Sequence, residues 1–203
     1  MSQPVYLFSA TSNPHAIHIN SLDFNFFQPS INFSKYDFLI LTSKKAVDAL
    51  SFYNKKDYIN IPALCISTFT KEYYESYGGK VSQVGEGIGS SLTPIIQNLG
   101  ADKKFLYLRA KEIAGDGFDV DEAIVYESKC SSELLNFSLP DEECTVIFTS
   151  PSSVKCFLHN NSINNNLDVI VIGKTTAKAL PPNISYKIPQ ISSIKECLKL
   201  LSI

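Results

Sequence analysis

Hydroxyl side chains follow two short apolar runs of the chain. Thr42 and Ser43 come directly after the run 38–41, and Thr149 and Ser150 come directly after the run 145–148. Each pair precedes a segment with helical character. The first backbone N–H groups of a helix have no partner within it, and they bind anions. The two pairs are therefore candidate anion-binding residues, although a helix N-cap is the commoner role of any single Ser or Thr.

These pairs belong to an internal repeat. Segment 37–47 matches segment 144–154, and segment 65–71 matches segment 171–177. The second match contains Thr70 and Thr176, which follow Thr42 and Thr149 by 28 and 27 positions. A weaker match joins 5–10 to 105–110. Similar signatures in the same order and at similar spacing indicate a duplication, which favours a shared ligand site over a set of unrelated caps.

Two cationic residues and one tyrosine complete the candidate set. Arg109, the single arginine, follows an apolar run and could bind a carboxylate in bidentate fashion, or could be a surface residue or part of an internal ion pair. Lys174 precedes the second threonine loop. Tyr126 lies in a segment expected to be extended, where its phenol could donate a proton or hydrogen bond to a leaving hydroxyl. Packing within a sheet is the commoner role of such a tyrosine.

The elements that position these residues are predicted to be buried parallel strands alternating with helices. Short apolar runs occur at 5–8, 38–41, 64–66, 105–108, 124–126, 145–148 and 169–172. Continuous apolar runs separated by helical segments are typical of α/β proteins with parallel sheets. The fold class is therefore predicted to be α/β, with two related parallel-sheet domains.

The order of the repeats predicts that one domain is inserted into the other. The strand at 105–108 comes last in its half, whereas its counterpart at 5–8 comes first in the other. We therefore expect an outer domain of residues 1–20 plus 131–203 and an inserted domain of residues 30–122. Segments 21–29 and 123–130 would form a two-stranded β linker between them.

Composition and charge exclude several function classes. The net charge is −2 and charged residues make up 19% of the chain, so a nucleic-acid-binding surface is not expected. The three histidines have no metal-ligand spacing, and the five cysteines form no C-x-x-C pair, so neither a metal site nor a redox dithiol is predicted. No apolar run is long enough to span a membrane. An odd number of cysteines and no signal-like start favour a cytoplasmic protein.

The motifs together resemble the uroporphyrinogen-III synthase family. That family has an apolar-T-S-x-x-small-V motif twice, an apolar-G-x-x-T-A motif twice and a V-Y strand between domains. They correspond here to segments 41–47, 148–154, 65–71, 172–177 and 125–126. The sequence departs from these motifs at three positions. Ser67 and Lys71 replace the usual Gly and Ala of the first G-x-x-T-A motif, and Ser153 replaces the usual Ala or Gly of the second T-S motif.

The resemblance implies both a fold and a reaction. Two α/β domains, one inserted in the other, would act on hydroxymethylbilane, a linear tetrapyrrole, and close it to uroporphyrinogen III with inversion of ring D, releasing water. The resemblance implies a cofactor-free lyase of heme and siroheme biosynthesis. It also implies a monomer that makes a transient contact with hydroxymethylbilane synthase. Tyr126 would assist loss of the hydroxyl. The remaining candidates would bind the substrate carboxylates, namely Thr42, Ser43, Thr70, Arg109, Thr149, Ser150, Lys174 and Thr176.

Two other kinds of protein are alternatives for the same residues. A two-domain protein could bind an anionic metabolite without converting it, because no strong nucleophile or metal signature marks the sequence as catalytic. A receiver-like module would carry clustered acidic residues at its strand ends, and the Thr-Ser pairs there argue against it.

Overall fold

The described part of the chain forms ten strands and eight α-helices. The structure is a computed structural model that describes residues 3–113, 115, 117–164 and 166–201. The strands are β1 (Val5–Ser9), β2 (Ile17–Asn20), β3 (Leu22–Phe26), β4 (Phe38–Leu41), β5 (Ala63–Cys65), β6 (Val81–Val84), β7 (Phe105–Ala110), β8 (Asp121–Cys130), β9 (Cys144–Phe148) and β10 (Leu167–Val171). The helices are α1 (Lys44–Leu50), α2 (Lys55–Tyr58), α3 (Thr68–Ser76), α4 (Thr93–Leu99), α5 (Ser132–Leu135), α6 (Pro151–Phe157), α7 (Lys174–Ala177) and α8 (Ile194–Leu198).

The chain divides into two units. The outer unit comprises Met1–Asp23 and Lys129–Ile203, and the inserted unit comprises Phe24–Ser128. The outer unit contains a four-stranded sheet of order β10-β9-β1-β2 in which every pair is parallel. The inserted unit contains most of a six-stranded sheet of order β3-β8-β7-β4-β5-β6, in which β3 begins and β8 ends in the outer unit. Pairing is parallel from β8 through to β6. The predicted α/β class with parallel sheets is confirmed.

Both faces of each sheet are covered, which explains the continuous apolar runs. In β9 all five residues are buried, and they contribute to two separate apolar clusters of the outer unit. One cluster contains Phe8, which packs on Phe148 and Phe157 with ring centroids 5.2 Å and 4.8 Å away. In the inserted unit, Leu39 and Leu41 face one apolar cluster, whereas Ile40 faces another. Strands buried on two sides lack the polar alternation of one-sided sheets.

Serine caps set the beginnings of most helices that follow these strands. Ser43, Ser67 and Ser150 adopt extended backbone angles at the N-cap positions of α1, α3 and α6, and each accepts a hydrogen bond from a backbone N–H of its helix. Pro151 occupies the first position of α6, where its missing N–H and fixed φ suit a helix start. The local sequence therefore encodes each strand-to-helix turn.

The two segments predicted to link the domains form β3 and β8. These strands are hydrogen-bonded neighbours, and the Phe27 N–H donates to the Val125 carbonyl at 2.9 Å. The strand β8 also pairs in parallel with β7, so both linker strands are part of the six-stranded sheet. Two strands, β2 and β6, were not predicted. They lie at sheet edges, where polar residues interrupt the apolar pattern.

The cysteines depart from the sequence-based expectation. Cys130 and Cys156 form a disulfide across 26 positions, although no dithiol was predicted. The expectation considered only cysteines that are close in sequence, as in a C-x-x-C pair. The fold instead brings together the end of β8 and the helix α6. Cys65, Cys144 and Cys197 are free and buried. Within the described residues, no helix is long and apolar enough to cross a membrane.

Candidate functional site

The carboxyl edge of the inserted sheet gathers several predicted residues. Leu41 of β4 pairs with Cys65 on one side and Leu108 on the other. Thr42 is the next residue along β4, so it lies between the ends of β5 and β7. Ligands of open α/β sheets bind at this edge of the strands.

Ser43 is both a helix cap and the partner of Tyr126. Its Oγ accepts hydrogen bonds from the N–H groups of Lys45 and Ala46 at 2.9 Å and 3.4 Å. The Tyr126 phenol also donates to this oxygen, at 2.9 Å. The structure therefore brings together two predicted residues that are 83 positions apart in sequence.

A second phenol meets the neighbouring hydroxyl. The Tyr107 hydroxyl lies 3.0 Å from the Thr42 Oγ1, and either oxygen can donate. Sequence reasoning missed Tyr107 because it lies inside the apolar run 105–108, where a tyrosine is typical of the core. Its polarity within that run is the signal that could have identified it, since a buried phenol usually has a hydrogen-bond partner.

Both phenols are protonated at neutral pH, and burial raises their pKa values above the ordinary 10.0. Desolvation raises the pKa of Tyr126 above its ordinary value, and the hydrogen bond to Ser43 opposes this only in part. Desolvation likewise raises the pKa of Tyr107, against the effect of the Thr42 hydrogen bond. Tyr126 is 9% exposed and lies near the rings of Phe24 and Phe26, with centroids 6.3 Å away in both cases. A neutral phenol in such surroundings is a hydrogen-bond and proton donor.

Arg109 is engaged within the inserted unit. Its Nε lies 2.5 Å from the Glu122 Oε2, and its Nη1 donates to the carbonyls of Ala110 and Lys111. Of the roles that the sequence left open, the geometry favours the internal ion pair. The pair ties the end of β7 to the beginning of β8, next to the carboxyl edge that carries Thr42.

Thr70 lies at the third position of α3 and is almost fully buried. Its backbone N–H donates to the Ser67 Oγ at 3.3 Å, and its own hydroxyl lies 3.3 Å from the same oxygen. Ser67 therefore caps α3, at a position where the family usually has glycine. The Thr70 hydroxyl is part of this cap.

In the outer unit, Thr149 and Ser150 follow β9. The Thr149 Oγ1 donates to the Phe8 carbonyl of β1 at 3.3 Å. Ser150 forms a capping box with Ser153, in which each side chain accepts from the other residue's backbone N–H, at 3.0 Å and 3.1 Å. The N-cap interpretation thus holds for Ser150, whose carboxyl-edge position matches that of Ser43.

Lys174 and Thr176 lie in α7, directly after the neighbouring strand. Val171 of β10 pairs with Phe148 of β9, so the starts of α7 and α6 share one sheet edge. Lys174 is exposed at the first position of α7, whereas Thr176 is 2% exposed. The N-cap of α7 is Gly173, which has no side chain to satisfy the first amides.

Metal-ligating residues are not clustered in the described part of the chain. No group of three or more His, Cys, Asp or Glu side chains there could hold a metal ion. The chemistry available at the two carboxyl edges comes from hydroxyls, neutral phenols, backbone amides and a lysine. These groups can donate hydrogen bonds to carboxylates and to a departing hydroxyl.

Comparison with known families decides the identity. The family model described as uroporphyrinogen-III synthase HemD matches residues 15–191. The chain belongs to the uroporphyrinogen-III synthase family. This assignment places it among proteins of tetrapyrrole and heme biosynthesis, and it confirms the resemblance inferred from the repeated Thr-Ser motifs.

Solved structures of uroporphyrinogen-III synthases are similar to this chain. The crystal structure of uroporphyrinogen-III synthetase from Helicobacter pylori 26695 has a TM-score of 0.81 and 29% identity, over 98% of this chain and 97% of that one. A mutant synthase from the extremely thermophilic bacterium Thermus thermophilus has a TM-score of 0.61 at 14% identity, over 98% and 96% of the two chains, and supports the fold alone. Comparison with curated protein sequences finds no match.

Proposed function

We propose that the protein converts hydroxymethylbilane to uroporphyrinogen III and water. The family match over residues 15–191 carries the proposal. In the proposed reaction the ring A hydroxymethyl group loses its hydroxyl as water, which leaves an azafulvene. Ring D then attacks through its substituted carbon to give a spiro intermediate, which fragments and closes again with ring D inverted. The reaction needs no oxidant or reductant, and we propose that it runs without a cofactor, as a hydro-lyase.

Tyr126 is the proposed proton donor for loss of the hydroxyl. Its phenol is neutral at physiological pH, since its ordinary pKa is 10.0 and burial raises the pKa further. Its hydrogen bond to Ser43 orients it at the carboxyl edge. General acid catalysis of this kind contributes about 10²- to 10⁴-fold to a rate. The azafulvene is reactive once formed, so most of the remaining catalysis would come from holding ring D near the correct carbon.

The proposed carboxylate-binding residues lie at the carboxyl edges of the two sheets. Thr42, Ser43 and Thr70 serve in the inserted unit, and Thr149, Ser150, Lys174 and Thr176 serve in the outer unit. The chain carries a net charge of −2, so binding of a polycarboxylate would depend on backbone amides and hydroxyls more than on lysines. Arg109 would act mainly by fastening β7 to β8 through Glu122.

The family assignment also supports proposals about cellular context. We expect a cytoplasmic monomer that receives hydroxymethylbilane from hydroxymethylbilane synthase through a transient contact. The unstable substrate makes such a contact useful, because hydroxymethylbilane free in solution closes spontaneously to the type I isomer.

Product analysis tests the proposal directly. Freshly generated hydroxymethylbilane is incubated with the protein, and the products are oxidised and separated by chromatography. We expect the type III isomer to dominate, while a heat-denatured sample yields only type I. Type I alone from folded protein would contradict the synthase activity and would leave a non-catalytic protein that binds an anionic metabolite.

A further inference from the structure

The outer unit contains a pair of cysteines that the proposed reaction does not use. Cys130 ends β8 and Cys156 lies in α6, and the structure joins their sulfur atoms in a disulfide. Their Cα atoms are 5.3 Å apart, a separation that disulfides in proteins commonly have. The backbone on both sides is regular strand and helix, so the pairing needs no rearrangement of either element.

Cys130 differs in accessibility from the other four cysteines, since its partner Cys156 is only 4% exposed. Cys130 is half-buried, whereas Cys65, Cys144 and Cys197 are fully buried. Burial raises the pKa of Cys65 to about 12 and that of Cys197 to about 11, and it also raises the pKa of Cys144. These three thiols are therefore poor nucleophiles at neutral pH. Among the five cysteines, only Cys130 combines partial exposure with a second cysteine in bonding range.

We propose that Cys130 and Cys156 form a reversible redox modification site that fastens α6 to the end of β8. Within a reducing compartment such a pair opens and closes with the thiol–disulfide balance instead of remaining closed. This inference is independent of the proposed synthase reaction, because it concerns residues outside the candidate site and has its own readouts.

The chemistry balances with a low-molecular-weight disulfide as the co-reactant. The Cys130 thiolate attacks glutathione disulfide, releases one glutathione thiolate and forms a mixed disulfide. The Cys156 thiolate then attacks the Cys130 sulfur and releases the second glutathione. The two cysteine sulfurs lose two electrons in total, glutathione disulfide gains them, and the two thiol protons pass to the released glutathione.

The bond closes a loop that contains part of the candidate site. Residues 131–155 lie between the two cysteines and include α5, β9 and the turn with Thr149 and Ser150. Closing a loop of this length restricts the unfolded chain. It also holds α6, whose first turn carries the capping box of Ser150 and Ser153. Reduction should therefore loosen α6 more than helices elsewhere in the chain.

Thiol titration of the unmodified protein is the first test. The whole chain is equilibrated in glutathione buffers of different disulfide content, quenched with acid, and then alkylated in denaturant so that buried thiols also react. The alkylated chain is analysed by mass spectrometry. We expect three alkylated cysteines in oxidising buffer and all five in reducing buffer, with peptide mapping that joins Cys130 to Cys156. Five alkylated cysteines in every buffer, or three in every buffer, would overturn a reversible site.

Hydrogen exchange and thermal unfolding test the structural consequence. On reduction we expect the amides of α6 to exchange about tenfold faster or more, while those of α1 in the inserted unit stay unchanged. The melting temperature should fall by roughly 5 to 12 °C. Cys130→Ser should remove the response to reductant, and the matched control Cys197→Ser should retain it. Equal exchange of α6 in both redox states would refute the fastening role.

Discussion

At the scale of single residues, the Tyr126 phenol is the group most closely tied to the proposed chemistry. It is buried and protonated, and it donates its hydrogen to the Ser43 Oγ at 2.9 Å. The ring fills space beside Phe24 and Phe26, so removal of the hydroxyl alone would leave the packing in place. A Phe substitution at this position therefore tests the role of the hydroxyl while leaving the packing of the ring unchanged.

We predict that Tyr126→Phe lowers kcat by about tenfold or more, because the proton donor is lost. The fold should be retained, with a cost in stability of about 1 kcal/mol for one hydrogen bond. Steady-state formation of the type III isomer at saturating substrate measures the effect. Tyr53→Phe is the matched control, since its hydroxyl donates to the Pro29 carbonyl in the same unit. Unchanged kcat in Tyr126→Phe would exclude the acid role.

The Arg109 and Glu122 pair gives a second test at this scale. The Arg109 side chain is 18% exposed and that of Glu122 is 30% exposed, so their hydrogen bond is only partly screened by water. We predict that Arg109→Lys and Glu122→Gln each lower the free energy of unfolding by about 1 to 2 kcal/mol and change KM less than threefold. Denaturant unfolding and initial rates provide the two measurements. A tenfold rise in KM for Arg109→Lys alone, at unchanged stability, would instead show direct binding of a substrate carboxylate.

At the scale of elements, the question is whether the serines at the strand-to-helix turns bind substrate in addition to capping helices. Ser150 and Ser193 occupy the same N-cap position in α6 and α8, and both accept a hydrogen bond from the third residue of the helix. Only Ser150 lies directly after a central strand of the sheet. The two serines thus form a matched pair that differs in location.

We predict that Ser150→Ala and Ser193→Ala both lower stability by about 1 kcal/mol, because each removes an N-cap. Only Ser150→Ala should also raise KM for hydroxymethylbilane, by about threefold to tenfold, the cost of a typical single hydrogen bond. Thermal unfolding and initial-rate kinetics on both variants give the comparison. Equal KM values for the two variants would show that Ser150 serves only as a helix cap.

Much of the element pattern could be predicted from the sequence. The apolar runs 38–41, 105–108 and 145–148 lie within observed strands β4, β7 and β9, because strands buried on both faces need apolar side chains at every position. The edge strands β2 and β6 could not be predicted in this way, since each has only four residues and two of the four are polar.

At the scale of the whole molecule, buried ionisable groups couple stability to alkaline pH. Cys65 is fully buried, and burial raises its thiol pKa from 9.0 to about 12. Burial also raises the pKa of Tyr74, Tyr107 and Tyr126. As the pH rises, these groups ionise first in the unfolded chain and thereby stabilise it. Their contribution is complete below pH 9 and declines as the pH rises towards their pKa values in the folded protein.

We predict that the free energy of unfolding falls steadily above pH 9, by at most about 1.4 kcal/mol per pH unit for the Cys65 thiol. Denaturant titrations between pH 7 and 11 measure the slope. Cys65→Ala should be less stable at pH 7 and should show a shallower decline above pH 9. Val47→Ala, a core truncation without a titratable group, should keep the wild-type slope. Identical slopes for all three proteins would contradict the role of Cys65.

The fold class and the family could both be inferred from the amino-acid sequence alone. Both depend on local patterns: apolar runs that must be buried on two faces, and Thr-Ser pairs that cap the following helix and recur at nearly equal spacing. A duplication preserves such patterns because each is required by its own strand and turn. Accordingly the parallel α/β sheets and membership in the uroporphyrinogen-III synthase family could be predicted without any coordinates.

The pairs of side chains that meet could be identified only from the folded chain. Tyr126 reaches Ser43 across 83 positions, Tyr107 reaches Thr42 across 65, and Cys130 reaches Cys156 across 26. Arg109 reaches Glu122 because the register of β7 and β8 pairs Glu122 with Tyr107, two residues before Arg109. A shift of β8 by one residue would turn the Tyr126 and Glu122 side chains to the opposite face of the sheet. Strand order and register arise from packing the whole core, and no local sequence pattern specifies them.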